Sequence, residues 1–278
     1  MAGRTRKIIS AVMAALMIMA AGGCGSSNKE IPSSADNSRY VSETKDNGNV
    51  TDGKEYDIDN GGLPYDEETV YNQLFDINNK VEIDVDISDD ELAKMQSDYN
   101  RYDNMGSKSP IYRKCDLKIS ITSDGVKNTY IIRNTGIRMK GNTSRTAFYD
   151  SNSGVYSLIH FKVDFTETFD DEQYYGGDSD YDLDIDKEKQ QNRTFATLDS
   201  MEIKWNQTSD STYVREYYAC EMYRDFGILA QRTNLASINL GDVHEGIFKI
   251  YEPVDKKFIK RYVAVSYTHL RAHETCAD

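Results

Sequence analysis

Apolar and polar residues alternate along much of this chain, and the alternation is cleanest in Lys80 to Ile87 (KVEIDVDI). Val81, Ile83, Val85 and Ile87 share one side of a two-residue period, which predicts a half-buried strand. Tyr71 to Phe75 (YNQLF) precedes it and opens the folded region. Ser88 and the acidic residues after it form a helix start signal, so DDELAKMQSDY is predicted helical. Cys115 to Thr122 and Lys127 to Arg133 read as strands joined by Ser123-Asp124-Gly125, whose Asp-Gly pair suits a tight hairpin. Thr135 to Lys140 reads as a further strand. In the next, Leu158 to Phe165, the residues Ile159, Phe161, Val163 and Phe165 share one face, with His160, Lys162 and Asp164 on the other.

Met201 to Trp205 is a short predicted strand. Thr208-Ser209-Asp210-Ser211 supplies N-cap candidates for a helix from Thr212 to Phe226, which Gly227 ends as a left-handed C-cap. The buried face of this helix is left open, because Tyr213, Tyr217, Cys220 and Tyr223 give it one apolar side while Ala219, Met222 and Phe226 give it another. Strands at Leu235 to Asn239 and Ile247 to Glu252 follow, then a helix start after Pro253. The succession predicts an α+β fold: an antiparallel sheet with a helix packed on it.

The ends have a different character. Arg4, Arg6 and Lys7, an apolar run from Ile8 to Ala21 and Gly22-Gly23-Cys24 make residues 1–23 a secretory signal of lipoprotein type, with Cys24 the acylated residue. Residues 24–68, rich in Ser, Asn, Asp, Gly and Lys, bury too little apolar surface to offset chain entropy and are expected to form a polar, acidic linker. Residues 69–264 form the folded domain. Residues 265–278 (VSYTHLRAHETCAD) lose the alternation and are expected to be a non-native, adapter-like tail on a truncated chain, so His269, His273 and Cys276 are not taken as metal ligands.

The formal net charge is −13, and taking away the three cations of the leader leaves −16, which disfavours nucleic acid and anionic membrane surfaces as partners. Much of the charge lies in Thr166 to Lys189. There Asp178, Asp180, Asp182, Asp184 and Asp186 alternate without the glycine and distal glutamate of a calcium-binding helix-loop-helix site, so the segment reads as a solvated acidic loop and no metal ligand is assigned. Cys115 and Cys220 are compatible with a disulfide or with two buried thiols.

Four segments in order, GIRMKGNTS (136–144), HFKVDF (160–165), the run from Ile203 through the helix, and GIFKIYE (246–252) followed by DKKFIKR (255–261), resemble the CotH family of spore-coat-type atypical protein kinases. The resemblance implies a kinase-like N-lobe with the C-lobe largely missing. It also implies ATP and Mg²⁺ as cofactors and transfer of the γ-phosphoryl group to protein hydroxyls. It casts Lys162 as the strand lysine that meets the phosphates and Glu216 as its helix partner, with Glu221 in reserve. It further points to Gly141, Asn142, Thr143, Ser144 and Arg145 as a phosphate loop, and to Glu252 before Pro253 as the site that receives the base. From the residues alone each has a plainer reading: a solvated lysine, a helix-surface ion pair with Arg215 or Arg224, an ordinary turn and a strand-end charge. The kinase-type catalytic and metal-binding carboxylates are expected beyond the strand-end glutamate, so the catalytic residues stay unassigned.

The expectation is therefore an exported CotH-like kinase, lipid-anchored to the outer face of the bacterial cytoplasmic membrane, with protein substrates or surface proteins as partners. The alternative is a surface-tethered scaffold that keeps the fold without turnover. Labelling cells with a fatty-acid analogue is expected to mark the wild-type chain and not Cys24→Ala, and equal labelling of both would overturn the assignment.

Overall fold

The computed structural model describes residues 50–59, 64–141, 146–150, 155–205, 212–241 and 243–263. In chain order its elements are β1 (Thr51–Asp57), α1 (Glu67–Leu74), β2 (Lys80–Asp86), α2 (Asp89–Asp103), β3 (Arg113–Ser123), β4 (Val126–Lys140), β5 (Tyr149–Asp150), β6 (Val155–Tyr156), β7 (His160–Asp164), α3 (Glu172–Tyr175), α4 (Lys187–Gln191), β8 (Ser200–Lys204), α5 (Arg215–Asp225), β9 (Thr233–Leu240), β10 (Val243–Tyr251) and α6 (Lys256–Tyr262). The α+β class stands. Among the described residues no helix is long and apolar enough to cross a membrane.

Local chemistry explains most boundaries. The Ser88 hydroxyl accepts from the Glu91 N–H and starts α2 as expected. Asp124 and Gly125, both at positive φ, make the tight turn between β3 and β4. Gly227, at φ +73, ends α5 in the left-handed conformation, with its N–H on the Arg224 carbonyl and that of Ile228 on the Tyr223 carbonyl. The start of α5 differs: it begins at Arg215 after Val214, which offers no capping side chain, and the expected caps at 208–211 lie outside the described residues.

The sheet departs from the antiparallel expectation. Its order is β1-β4-β3-β2-β9-β10-β8-β7, with parallel pairs at β1–β4 and β2–β9, and β7 pairs back onto β4. The strands from β4 to β7 therefore close into a ring, and β1 lies beside the first half of β4. Closure needs β4 to change direction. Where Arg133 and Asn134 bulge out of register with β3, Asn134 takes φ +48 and its N–H donates to Asp116 at 2.8 Å, while the Arg133 N–H donates to Asp59 at 2.6 Å. The expected break before Thr135 is this bulge, and β4 runs through it. Because β1 pairs in the sheet, the folded region also starts earlier than residue 69, and part of the segment expected to be linker is structured.

Inside the ring the alternating apolar residues meet: Ile83 faces Ile119 and Ile238 across the strands, Val163 faces Ile137 and Met201, and Ile203 faces Phe161 and Ile250. All nine belong to one buried cluster, which Val70, Tyr71 and Leu74 of α1 and Met95 of α2 join. The Asn234 side chain donates to the carbonyls of Leu74 and Asp76, satisfying the end of α1 from β9.

Helix α6 is held by a buried carboxylate. Glu252, only 1% exposed, pairs with Arg261 and accepts from the Arg232 N–H and the Tyr262 hydroxyl, each at 3.3 Å. Arg261 also lies over the Tyr71 ring, 4.2 Å from its centroid, which ties α6 to α1. Arg261→Ala leaves the Glu252 charge buried without its cation, so urea unfolding is expected to show a loss of about 3 kcal/mol, whereas a loss within error of wild type would overturn this role.

Candidate functional site

One outward face of the sheet, at β4, β7, β8 and β10, carries polar side chains at the alternate positions that the core does not use. Strand register aligns them in rows. Arg138, Lys162, Glu202 and Tyr251 lie side by side, and the next row holds Lys140, His160, Lys204 and Lys249. Asp164 and Ser200 continue the pattern on the other flank. Four strands thus bring five cations to one face of a chain that is acidic overall.

Three carboxylates temper this charge, and each is engaged. Glu202 pairs with Lys140 and lies 3.6 Å from Lys204; Asp164 lies 3.8 Å from Lys162 and accepts from the Thr166 N–H and hydroxyl. Glu216 reaches down from α5 to Lys249 at 2.6 Å and accepts from the Tyr251 hydroxyl. Lys204 covers the Tyr251 ring at 3.9 Å from its centroid. Arg138 is turned to one side, donating to the Ser109 carbonyl at 3.2 Å and lying over the Tyr112 ring.

Crowded cations leave their mark on titration. Burial pushes the Lys140 ammonium below its ordinary pKa, with Lys204 and Lys162 adding to the push and Glu202 opposing it. Burial tends to raise the Glu216 carboxyl, but the hydrogen bonds from Lys249 and Tyr251 outweigh it and hold the group below its usual value. The Tyr251 hydroxyl is pushed well up, by burial first and by the Glu216 carboxylate second.

The sequence-predicted residues fare unequally. Lys162 lies in the middle of this face, as its strand parity implies. Its expected partner does not meet it: Glu216 gives its carboxylate to Lys249 and Tyr251, because α5 lies against β9 and reaches β10, not β7. The reserve residue Glu221 pairs with Arg224 within the helix, so Glu216 and Arg224 do not form the surface pair considered for them either. Gly141, at φ +130, leaves β4 directly after Lys140 in a conformation that suits glycine, which starts the loop at the edge of the cation rows; Asn142, Thr143, Ser144 and Arg145 lie outside the described residues. Glu252 is not a surface charge, being buried and bound to Arg261. Cys24 lies outside the described residues, and Cys115 and Cys220 are free thiols.

Lys249, Lys204, Glu202, His160 and Tyr251 were not singled out from the sequence. The available signal was a cation at the outward parity of several strands, RMK, FKV, EIK and FKI, which single strands do not distinguish from solvated lysines. The acidic loop is exposed as expected at Asp180, Asp182, Asp184 and Asp186, with one addition. Asp178 and Asp180 do not simply face water: with Asp90 and Glu91 they surround the Lys94 ammonium at 2.9 to 3.1 Å, so the carboxylate group of Asp90, Glu91 and Asp180 already holds an internal cation.

His160 reports on the whole face. Its Nδ1 accepts from the Trp205 N–H at 2.9 Å, and burial followed by Lys204 and Lys249 keeps its pKa below the ordinary value. The folded chain therefore resists taking up this proton while the unfolded chain takes it up at about 6.5, so stability is lost as pH falls from there towards the lowered folded value. An NMR titration is expected to place the His160 midpoint below 6.5; a midpoint at or above it would contradict the buried, cation-flanked setting of this imidazole.

No curated protein matches the chain. The family described as CotH kinase protein matches residues 137–275, half of the chain, and takes in the end of β4, β7 to β10, α5, α6 and so the full cation face. The match continues past Val265 into the segment expected to be foreign, which lies outside the described residues. With this extent of match over the very strands that form the site, the chain belongs to the CotH kinase family.

Proposed function

We propose that this protein is an ATP-dependent phosphotransferase acting on protein hydroxyls outside the cell, anchored through Cys24, and that the cation face of β4, β7, β8 and β10 receives the polyphosphate. Family membership supplies kinase-like chemistry. The observation that carries the reading is the set of lysines that adjacent strands present in register on one face. Lys140, Lys162 and Lys204 are partly open to solvent, and Lys249 is buried under the helix.

The roles follow from that difference. The three open lysines suit phosphate oxygens, which accept charge-assisted hydrogen bonds from ammonium groups without needing a fixed fork. Lys249 instead clamps Glu216, and Tyr251 fixes the other side of the same carboxylate, so α5 is positioned by a strand-lysine to helix-glutamate link of the kind that organises kinase sites. ATP would supply the phosphoryl group: the bond from its γ-phosphorus to the oxygen bridging to the β-phosphate breaks as the acceptor hydroxyl oxygen bonds to phosphorus, ADP leaves with the bridging oxygen, and the hydroxyl proton passes to solvent. The described residues fit the phosphates but not a divalent ion, because Glu202, Asp164 and Glu216 are each committed to a lysine and the Asp90 cluster is filled by Lys94. No step is assigned to metal here. That commitment of every carboxylate on the face also supports the second reading, a surface-tethered module that binds nucleotide without transferring phosphate.

ATP titration of the folded chain tests the site. Lys162→Ala and Lys204→Ala are each expected to weaken binding about tenfold, the size of one lost charge-assisted hydrogen bond, with the chain still cooperatively folded because neither side chain packs in the core. ATP affinity indifferent to both substitutions would reject the face as the phosphate site. Binding without phosphoryl transfer to any protein acceptor would favour the module.

A further inference from the structure

His160 stands half-buried at the start of β7, in register with Lys140 of β4 on one side and beside the end of β8 on the other. Its contact with Trp205 fixes its chemical state. A backbone N–H can only donate, so the Nδ1 that accepts from Trp205 at 2.9 Å carries no proton, and the imidazole is neutral with its proton on Nε2. In this form it closes a strand end: β8 stops at Lys204, and the imidazole answers the next N–H of the chain as a strand carbonyl does elsewhere in the sheet. A second proton on the ring sets donor against donor, so an imidazolium has to leave Trp205.

The surroundings decide between the two forms. Burial, then Lys204 of β8, Lys249 of β10 and Lys140 of β4, oppose a second proton, while Glu216 of α5 favours it. Glu202 of β8 is held by Lys140 and Lys204, and on its own strand Lys162 and Asp164 lie 3.8 Å apart. With these groups alone the ring stays neutral. A polyphosphate on Lys140, Lys162 and Lys204 reverses the balance, because it neutralises two of the three opposing lysines and adds negative charge of its own.

We propose that polyphosphate binding on this face is coupled to proton uptake by His160, which takes the proton from solvent, leaves Trp205 and joins the lysines as a further cation. The inference rests on the phosphate reading of the face and gives that site a regulator, the acidity of the medium. Linkage fixes the sign. If the bound anion raises the midpoint of His160, protons raise the affinity for the anion by the same factor. Affinity is therefore flat above the midpoint of the complex, climbs as pH falls from there to the midpoint of the ligand-free chain, and levels off below it.

Imidazole NMR on the purified full chain, titrated between about pH 5 and 8 with and without saturating ATP, reads the coupling directly. The His160 signal is the one lost in His160→Asn. ATP is expected to raise its midpoint by about one pH unit, and the Trp205 amide is expected to lose its hydrogen-bonded shift along the same curve. Asparagine keeps an acceptor for the Trp205 N–H but takes up no proton. The ratio of wild-type to His160→Asn affinity for ATP, in which the nucleotide's own titration cancels, is therefore expected to rise about tenfold as pH falls through this window, tenfold being one pH unit read as affinity. Should the variant not fold, the wild-type midpoints and the Trp205 amide still decide. A midpoint that ATP leaves in place or lowers, while Lys162→Ala and Lys204→Ala still weaken binding, overturns the coupling and leaves the phosphate site standing. ATP affinity indifferent to those two lysines overturns both.

Discussion

The whole architecture turns on β4 serving three neighbours. From Val126 to Ile137 it pairs with β3, while its other edge is shared between β1 before the bulge and β7 after it. A straight strand could not do this, since one edge would have to follow two diverging partners. The bulge at Arg133 and Asn134 gives the bend, and buried polar groups hold it: Arg193 donates to the Arg133 carbonyl at 2.6 Å and to Asp59 at 2.6 Å, so the chain around the bulge has its hydrogen-bonding groups answered from two other segments.

Closure has a chemical consequence. A ring whose inside is filled by Ile, Val, Leu, Phe and Met leaves only the outer parity of each strand for polar groups. On most of the circumference those positions take mixed charges, with Glu82 between Lys80 and Lys127 as one example. At β4, β7, β8 and β10 they are mainly cationic, and the closing pair β4–β7 is what brings Arg138 and Lys140 next to Lys162 and His160. The site is thus a product of ring closure, and the lowered pKa values of Lys140 and His160 reflect burial first and the neighbouring cations after it.

The same face dictates how α5 packs. A helix lying over ammonium groups must turn a carboxylate towards them, since unpaired buried charge is far costlier than an exposed apolar side chain. Glu216 therefore faces inward and the stripe of Tyr218, Met222 and Phe226 faces out. The two apolar sides seen in the sequence of this helix reflect two demands, one from the sheet and one from whatever covers the outer surface.

Short-range chemistry was legible in the sequence. The periods of β2, β7 and β8, the Ser88 cap, the Asp124-Gly125 hairpin and the Gly227 C-cap each depend on residues a few positions apart, where steric and hydrogen-bonding preferences act directly. The parity of Lys162 was legible for the same reason. Strand neighbours were not. Alternation says which residues share a face, but it is silent on which strand lies alongside or in which direction, so the parallel pairing of Val81 with Ala236 and the return of β7 to β4 were invisible. The partner of Glu216 depended on both. Lys162 and Lys249 have the same local pattern, and only the placing of α5 against β9 and β10, two strands away from β7, decides that the carboxylate meets Lys249. The sequence by itself determined the elements and the faces of their strands; the tertiary structure decided their neighbours, because long-range pairing is selected by the packing of the whole ring and not by any one segment.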